Sequence, residues 1–282
     1  MTTKVDTIRS PRIVTRSCVT FVLYAFGLLC AFPFYVMLVS ASHSSSDIAS
    51  GHVWLPGSEL ISNYARLMHK VNIWHGFLNT LTITLPATIG AVYLSALTAY
   101  GFSRYDFRGK NVLFLMVLAT MMVPTQLGIV GLFRLVSSLD LLNTYWPLIV
   151  PSVANAFGVF FLRQYCDSAV SRSILEAARV DGAGELRIFH RIALPMLAPA
   201  LATFGIFAFV SKWNDFVNPL VLIFDDAKQP LPVMVAVTKG QFSNDFGAQY
   251  VGVAISVVPI LVLFALVSKR LIGSISQGAL KG

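Results

Sequence analysis

Charge is what this chain has least of. Only 12% of its 282 residues are Asp, Glu, Lys or Arg, and the acids are the scarcer kind, 13 against 21 basic residues. A soluble globular domain carries about twice that charged fraction, so there is too little polar surface to cover a water-soluble core. Cysteine is also sparse. Cys18, Cys30 and Cys166 are odd in number and imply no disulfide framework. Catalytic signatures are missing: there is no His-Glu-x-x-His and no Gly-x-Ser-x-Gly. The histidines His43, His52, His69 and His75 are too scattered to read as metal ligands. Gly101 to Asn111 fails as a phosphate loop, because seven residues separate its glycines and Asn111 stands where Ser or Thr is required. Gly182-x-Gly184 fails likewise as a dinucleotide fingerprint. The chain therefore offers no catalytic residue, metal site or nucleotide site of its own.

Apolar residues fill the space, at 56% with a mean hydropathy of +0.71. Runs long enough to cross a bilayer as helices fall at about 18–40, 77–100, 111–133, 141–162, 192–211 and 247–268. The fold expected is an all-α polytopic membrane protein with six transmembrane helices. It comprises an N-terminal segment over 1–16 and one transmembrane domain over 17–282. The first run is longer than the core of a secretory signal, despite the small residues at Ser40-Ala41-Ser42, and reads as an uncleaved span. Lys and Arg crowd one set of flanks: Lys4, Arg9, Arg12 and Arg16, then Arg104, Arg108 and Lys110, the loop after the fourth run, and Lys269 and Arg270. This places both termini and that loop in the cytoplasm. The net charge of +8 is then mostly positive-inside bias, and no nucleic-acid partner is expected.

The loop over 163–191 is the longest charged island. Arg163, Arg172, Arg179, Arg187 and Arg191 face Asp167, Glu176, Asp181 and Glu185, a nearly neutral mixture that suits a protein groove better than lipid or nucleic acid. Ser173 and Glu176 form a capping-box pair. Ile174, Leu175 and Ala178 give a short apolar stripe, Gly182 and Gly184 end that helix, and Leu186, Phe189 and Ala193 begin another. Periodicity alone equally allows a solvated loop with a helical turn.

This stretch resembles the "EAA" loop of the permease subunits of binding-protein-dependent ABC importers. The resemblance rests on Glu176, Ala177, Ala178, Asp181, Gly182, Ala183, Phe189, Ile192, Leu194 and Pro195 in fixed register. Ala99-Tyr100-Gly101-Phe102-Ser103-Arg104, the stretch from Trp213 to Leu220, Leu231-Pro232 with Gly240-Gln241, and the ending Gly278–Gly282 resemble the carbohydrate-uptake (maltose-type) branch. What the resemblance implies is a type I importer permease fold with the loop as the helix that docks on an ATPase. Glu176, Ala177, Ala178, Asp181, Gly182, Ala183, Phe189, Leu194 and Pro195 would couple the chain to the ATPase, with Phe189 and Leu194 anchoring the loop to the membrane domain. It further implies a second homologous permease subunit, two ATP-binding subunits that hold ATP and Mg, and an extracytoplasmic solute-binding protein.

Polar residues near the spans are candidates for a solute path. Trp213, Asn214 and Asn218 combine a flat ring with amides, which suits a sugar's CH face and hydroxyls; an interfacial Trp belt with capping amides explains them equally. Gln126 and Asn155 read either as helix–helix glue or as path lining. Because no charged side chain lies in mid-span, a stand-alone ion-coupled carrier is the weaker alternative.

Overall fold

In hydrocarbon the helix is the open-chain form that pairs all its own backbone groups, and apolar runs of this length take it up. The computed structural model describes residues 11–51, 53–241 and 245–279, and among them every regular element is helical. In chain order these are α1 (Pro11–Ser40), α2 (Ser45–Ser50), α3 (Leu60–Lys70), α4 (Ile73–Arg104), α5 (Lys110–Thr120), α6 (Ile129–Ser138), α7 (Trp146–Val153) and α8 (Ala156–Ala169). They continue with α9 (Arg172–Val180), α10 (Glu185–Ile188), α11 (Leu194–Met196), α12 (Ala198–Trp213), α13 (Val217–Leu222), α14 (Leu231–Gln241) and α15 (Phe246–Ala279). Most of the expected 1–16 segment lies outside the described residues.

Four stretches cross-check as spans by length and composition: Cys18–Ser40, Ile73–Arg104, Trp146–Ala169 and Phe246–Leu266. The third and fifth expected spans are instead bent pairs, Lys110–Thr120 with Thr125–Ser138 at 88° and Glu185–Met196 with Ala198–Trp213 at 78°. Counting each pair once gives six. Pro124, extended at the first break, has no N–H to continue the helical ladder.

The described chain divides into two compact units. The first holds α1–α3 and α15 up to Ala254. Its polar knot is built on Asn63, whose amide donates to the carbonyls of Ala41 (2.8 Å) and His43 (2.9 Å), and on Arg66 paired with Asp245 at 2.8 Å. Burial pushes the Asp245 carboxyl up, but the Arg66 guanidinium and the Ala248 N–H outweigh it and hold it below its ordinary value.

The second unit holds α4–α14 and α15 from Ile255. Lipid supplies no hydrophobic drive between helices, so close contact relies on small residues. Ala91, Ser95, Ala96 and Ala99 of α4 are buried, as are Gly158 of α8 and Ala200 of α12. A side chain at Gly158 would run into the Phe204 ring and Ser95 Oγ. Tyr100, Leu162, Leu175, Ile188, Phe189 and Phe204 complete this core. A smaller cluster joins Ile83, Val136, Leu148, Leu222 and Ile223.

Candidate functional site

The loop between α8 and α12 is built from short elements that could not stand alone in water. Its first helix, α9, starts at Arg172 because the Ser171 hydroxyl accepts the Ile174 N–H at 3.4 Å. The cap is therefore Ser171 and not Ser173, which bonds to the Ser171 hydroxyl at 3.1 Å. Glu176 closes no capping box and stands exposed. Leu175 and Ala178 turn inward while Ile174, Glu176, Ala177 and Val180 face out.

Asp181 and Gly182 close the helix. Gly182 adopts φ +78°, its N–H bonds to Arg179 O at 3.0 Å, and the Ala183 N–H reaches back to Ala178 O at 3.0 Å. These are the two bonds of a Schellman turn, which needs a left-handed residue at the glycine's place. Ala178 and Ala183 supply its accompanying apolar contact.

The return path runs through α10, a π-helical turn over Phe189–Ala193, and α11. Pro195 cannot donate, and its ring crowds the carbonyl four residues earlier. The preceding turn is widened accordingly, with the Leu194 N–H bonded to Phe189 O. Phe189 is buried against Tyr93 and Tyr100, with ring centroids at 6.1 and 5.4 Å. Leu194 packs against the same core, whereas Pro195 is exposed. Ala178 belongs to that core as well, so of the two alanines expected in the docking stretch only Ala177 presents its methyl outward. The outward surface is apolar where it projects furthest: Val180 is 88% and Leu186 69% exposed.

Four consecutive residues at the end of α4 tie this loop in place. Ser103 donates to Asp167, and Arg104 donates to the Cys166 carbonyl. Tyr105 donates to Glu185, which also accepts from Arg179 at 2.7 Å. Asp106 pairs with Arg172 at 3.6 Å and with Lys110 at 3.0 Å. Burial and the bond to Glu185 push the Tyr105 phenol up, and the bond to Glu185 holds the Arg179 guanidinium above its ordinary value. Both keep their protons under physiological conditions. Arg163 lies over the Phe114 ring at 3.8 Å. His190 is held at both nitrogens: Nδ1 donates to Leu186 O at 2.7 Å, and Nε2 is hydrogen-bonded to Tyr93 Oη at 3.0 Å. Sequence reasoning missed this seam and His190. The clue available was the run of polar residues from Ser103 to Asp106 at the edge of an apolar span.

The expected path residues differ in exposure and in what they bond to. Trp213 is 0% exposed; its indole N–H donates to Ser256 O at 3.0 Å, and it stacks on Phe209 with ring centroids at 5.4 Å. It is a core residue, closed to a sugar in this conformation. Asn155 caps α8 by accepting the Gly158 N–H at 2.8 Å. The Asn218 amide donates to both oxygens of Asp215 at 3.0 Å, and Asp215 is paired with Lys212 at 2.8 Å. Asn214 and Gln126 are exposed, the former donating to Val210 O at 3.0 Å. A small cavity is lined by Thr84, Lys212, Trp213 and Asp215 among others, and the Thr84 hydroxyl is buried without a partner.

Comparison with known proteins places this geometry. The family model described as "Binding-protein-dependent transport system inner membrane component" matches residues 91–278. The chain is 34% identical to the probable ABC transporter permease protein YurM of Bacillus subtilis, over 92% of this chain and 87% of the relative. It is 34% identical to the diacetylchitobiose uptake system permease protein NgcG of Streptomyces coelicolor, with the same coverage. It is 30% identical to the arabinooligosaccharides transport system permease protein AraQ of Bacillus subtilis, over 95% and 97%. A bacterial ABC transporter that imports the acidic polysaccharide alginate contains a chain of the same fold, with a TM-score of 0.77 and 25% identity over 93% of this chain and 97% of the other. The loop, its anchoring residues and the bent spans all fall inside the matched region: this chain belongs to the family of inner membrane components of binding-protein-dependent transport systems, the multi-pass permease subunits of ABC importers.

Proposed function

We propose that this chain forms half of the translocation path of an ATP-driven importer for a sugar or sugar-like solute delivered by an extracytoplasmic solute-binding protein. A second homologous permease subunit forms the other half. Two ATP-binding subunits hold ATP and Mg and perform the hydrolysis; this chain binds neither, and contacts no nucleic acid. It lies in the bacterial inner membrane with both termini and the 163–191 loop in the cytoplasm, in keeping with its Lys and Arg distribution. The sugar class is supported by relatives named for diacetylchitobiose and arabinooligosaccharides.

The observation that carries the reading is the loop itself. Glu176, Ala177, Asp181 and Gly182 lie outward beside Val180 and Leu186, on a frame fixed by Ala178, Ala183, Phe189 and Leu194 within and by the end of α4 alongside. A short exposed helix with apolar tips and mixed charge is suited to a groove on another protein, and its rigid seating lets closure of the ATPase pair turn α8 and α12 around the solute. Asn214 and Gln126, which remain exposed, are the better candidates for solute contact; Asn155, Asn218 and Trp213 shape the surrounding helices. The test is purification followed by reconstitution. An importer subunit co-purifies with an ATPase, and uptake into vesicles requires both the binding protein and ATP. Uptake by this chain alone, driven by a proton or sodium gradient, would instead establish the stand-alone carrier.

A further inference from the structure

Thr80, Thr84 and Thr88 follow one another at four-residue spacing along one face of α4. Thr80 is partnered: its hydroxyl donates to Gly76 O at 2.8 Å and accepts the Leu231 N–H at 2.8 Å. The hydroxyls of Thr84 and Thr88 are buried without a partner. Depth makes this costly. At 32 residues, about 48 Å, α4 overhangs a hydrocarbon core of about 30 Å by about 9 Å at each end. Thr84 lies eleven residues past Ile73, about 16 Å along the axis, where lipid offers no hydrogen bond.

What separates the two unpartnered hydroxyls is space. The cavity beside Trp213 is lined by Thr84, Lys212 and Asp215, with Leu148 and Pro219 among its apolar walls, and Thr88 does not line it. Its volume of about 10 Å³, the room open to the centre of a water molecule, holds one. Its polar groups suit a single neutral molecule. Thr84 is 0% exposed, and the side chains of Lys212 and Asp215 are 12% and 15% exposed. The Lys212 ammonium has three donors, one of which goes to Asp215 at 2.8 Å. The two charges cancel, so the site favours neither a cation nor an anion. The Asp215 carboxylate accepts, and the Thr84 hydroxyl can do either. Dry cavities are apolar, whereas a polar cavity with a few hydrogen-bonding partners holds water.

We infer that this cavity is the site of one ordered water, which accepts from the Lys212 ammonium, donates to Asp215 and shares a hydrogen bond with the Thr84 hydroxyl. The water joins the buried face of α4 to the end of α12 through bonds that are exchanged one at a time.

The test compares Thr84→Val with Thr88→Val in thermal melts of the assembled complex, alongside a density map of the unaltered protein that resolves ordered waters. Valine keeps the shape of threonine and removes the hydroxyl. Thr84→Val takes a partner from the water and is expected to lower the melting temperature by a few degrees. Thr88→Val removes a hydroxyl that bonds to nothing and is expected to melt at or above the wild type. In the map, a water peak is expected within hydrogen-bond reach of Thr84 Oγ1 and Lys212 Nζ. A Thr84→Val protein that melts no lower than the wild type would overturn the site, as would an equal loss in both variants. So would a map with waters elsewhere and none in the cavity, or with a side chain of a second subunit in that place. If Thr84→Val does not fold, the map alone decides.

Discussion

Gly182 offers the sharpest test of how the loop is held. Its φ of +78° lies in the left-handed region, and nothing stands within 4 Å of where a Cβ would go. A substitution there is opposed by backbone conformation and not by crowding. Alanine in the left-handed region costs about 1–2 kcal/mol, whereas asparagine, which bonds locally to its own backbone, is tolerated there. A penalty of that size changes the ratio of ordered to disordered turn by a factor of roughly 5–30. If the ATPase docks only on the ordered loop, its apparent affinity falls by no more than that factor. Uptake in reconstituted vesicles and retention of the ATPase during purification should therefore rank Gly182, then Gly182→Asn, then Gly182→Ala, with Gly182→Val lowest. The reasoning fails if asparagine proves worse than alanine. Side-chain bulk against the docked partner, and not the φ angle, would then govern the position.

Other substitutions separate structural from docking roles. Ala177→Trp is expected to leave assembly of the membrane domain intact and to abolish ATPase retention, while Ala178→Trp, placed in the core, lowers the yield of folded subunit; size-exclusion profiles and pull-downs tell them apart. Trp213→Ala should cost about 3–5 kcal/mol and appear as a lower melting temperature. A normal melting profile with altered sugar selectivity would refute its burial. Tyr105→Phe removes one hydrogen bond to Glu185, worth about 1 kcal/mol at this half-exposed site. Combined with Glu185→Gln it should be less than additive in thermal melts, and additive losses would mean that the two groups do not interact.

The loop was the most legible part of the sequence because its signals are local. A glycine between a helix end and a second helix, apolar residues spaced to one side, and a terminal Leu-Pro each act within a few residues. Even there, the sequence pointed to Ser173 as the cap, whereas the hydroxyl that accepts the Ile174 N–H is that of Ser171, two positions earlier. The bends of the third and fifth spans, 88° and 78°, were not read from the sequence, where each appears as one continuous apolar run. Trp213 misled too. Its amphipathic ring suits a sugar or a core equally, and what buries it is Phe77, Phe209 and the Ser256 carbonyl. The polar seam from Ser103 to Asp106 was hidden because its partners, Asp167 and Glu185, lie 64 and 80 residues away.

That seam gives α4 a particular standing. At its opposite end the Asn79 amide donates to the carbonyls of Ala227 and Gln229 at 2.9 and 3.1 Å. One helix of 32 residues, about 48 Å long, is thus fastened in its second turn to the turn before α14 and at its last residues to the charged loop. A strut pinned at each end cannot swing freely: any tilt imposed at the first fastening must be absorbed as strain or slippage at the second.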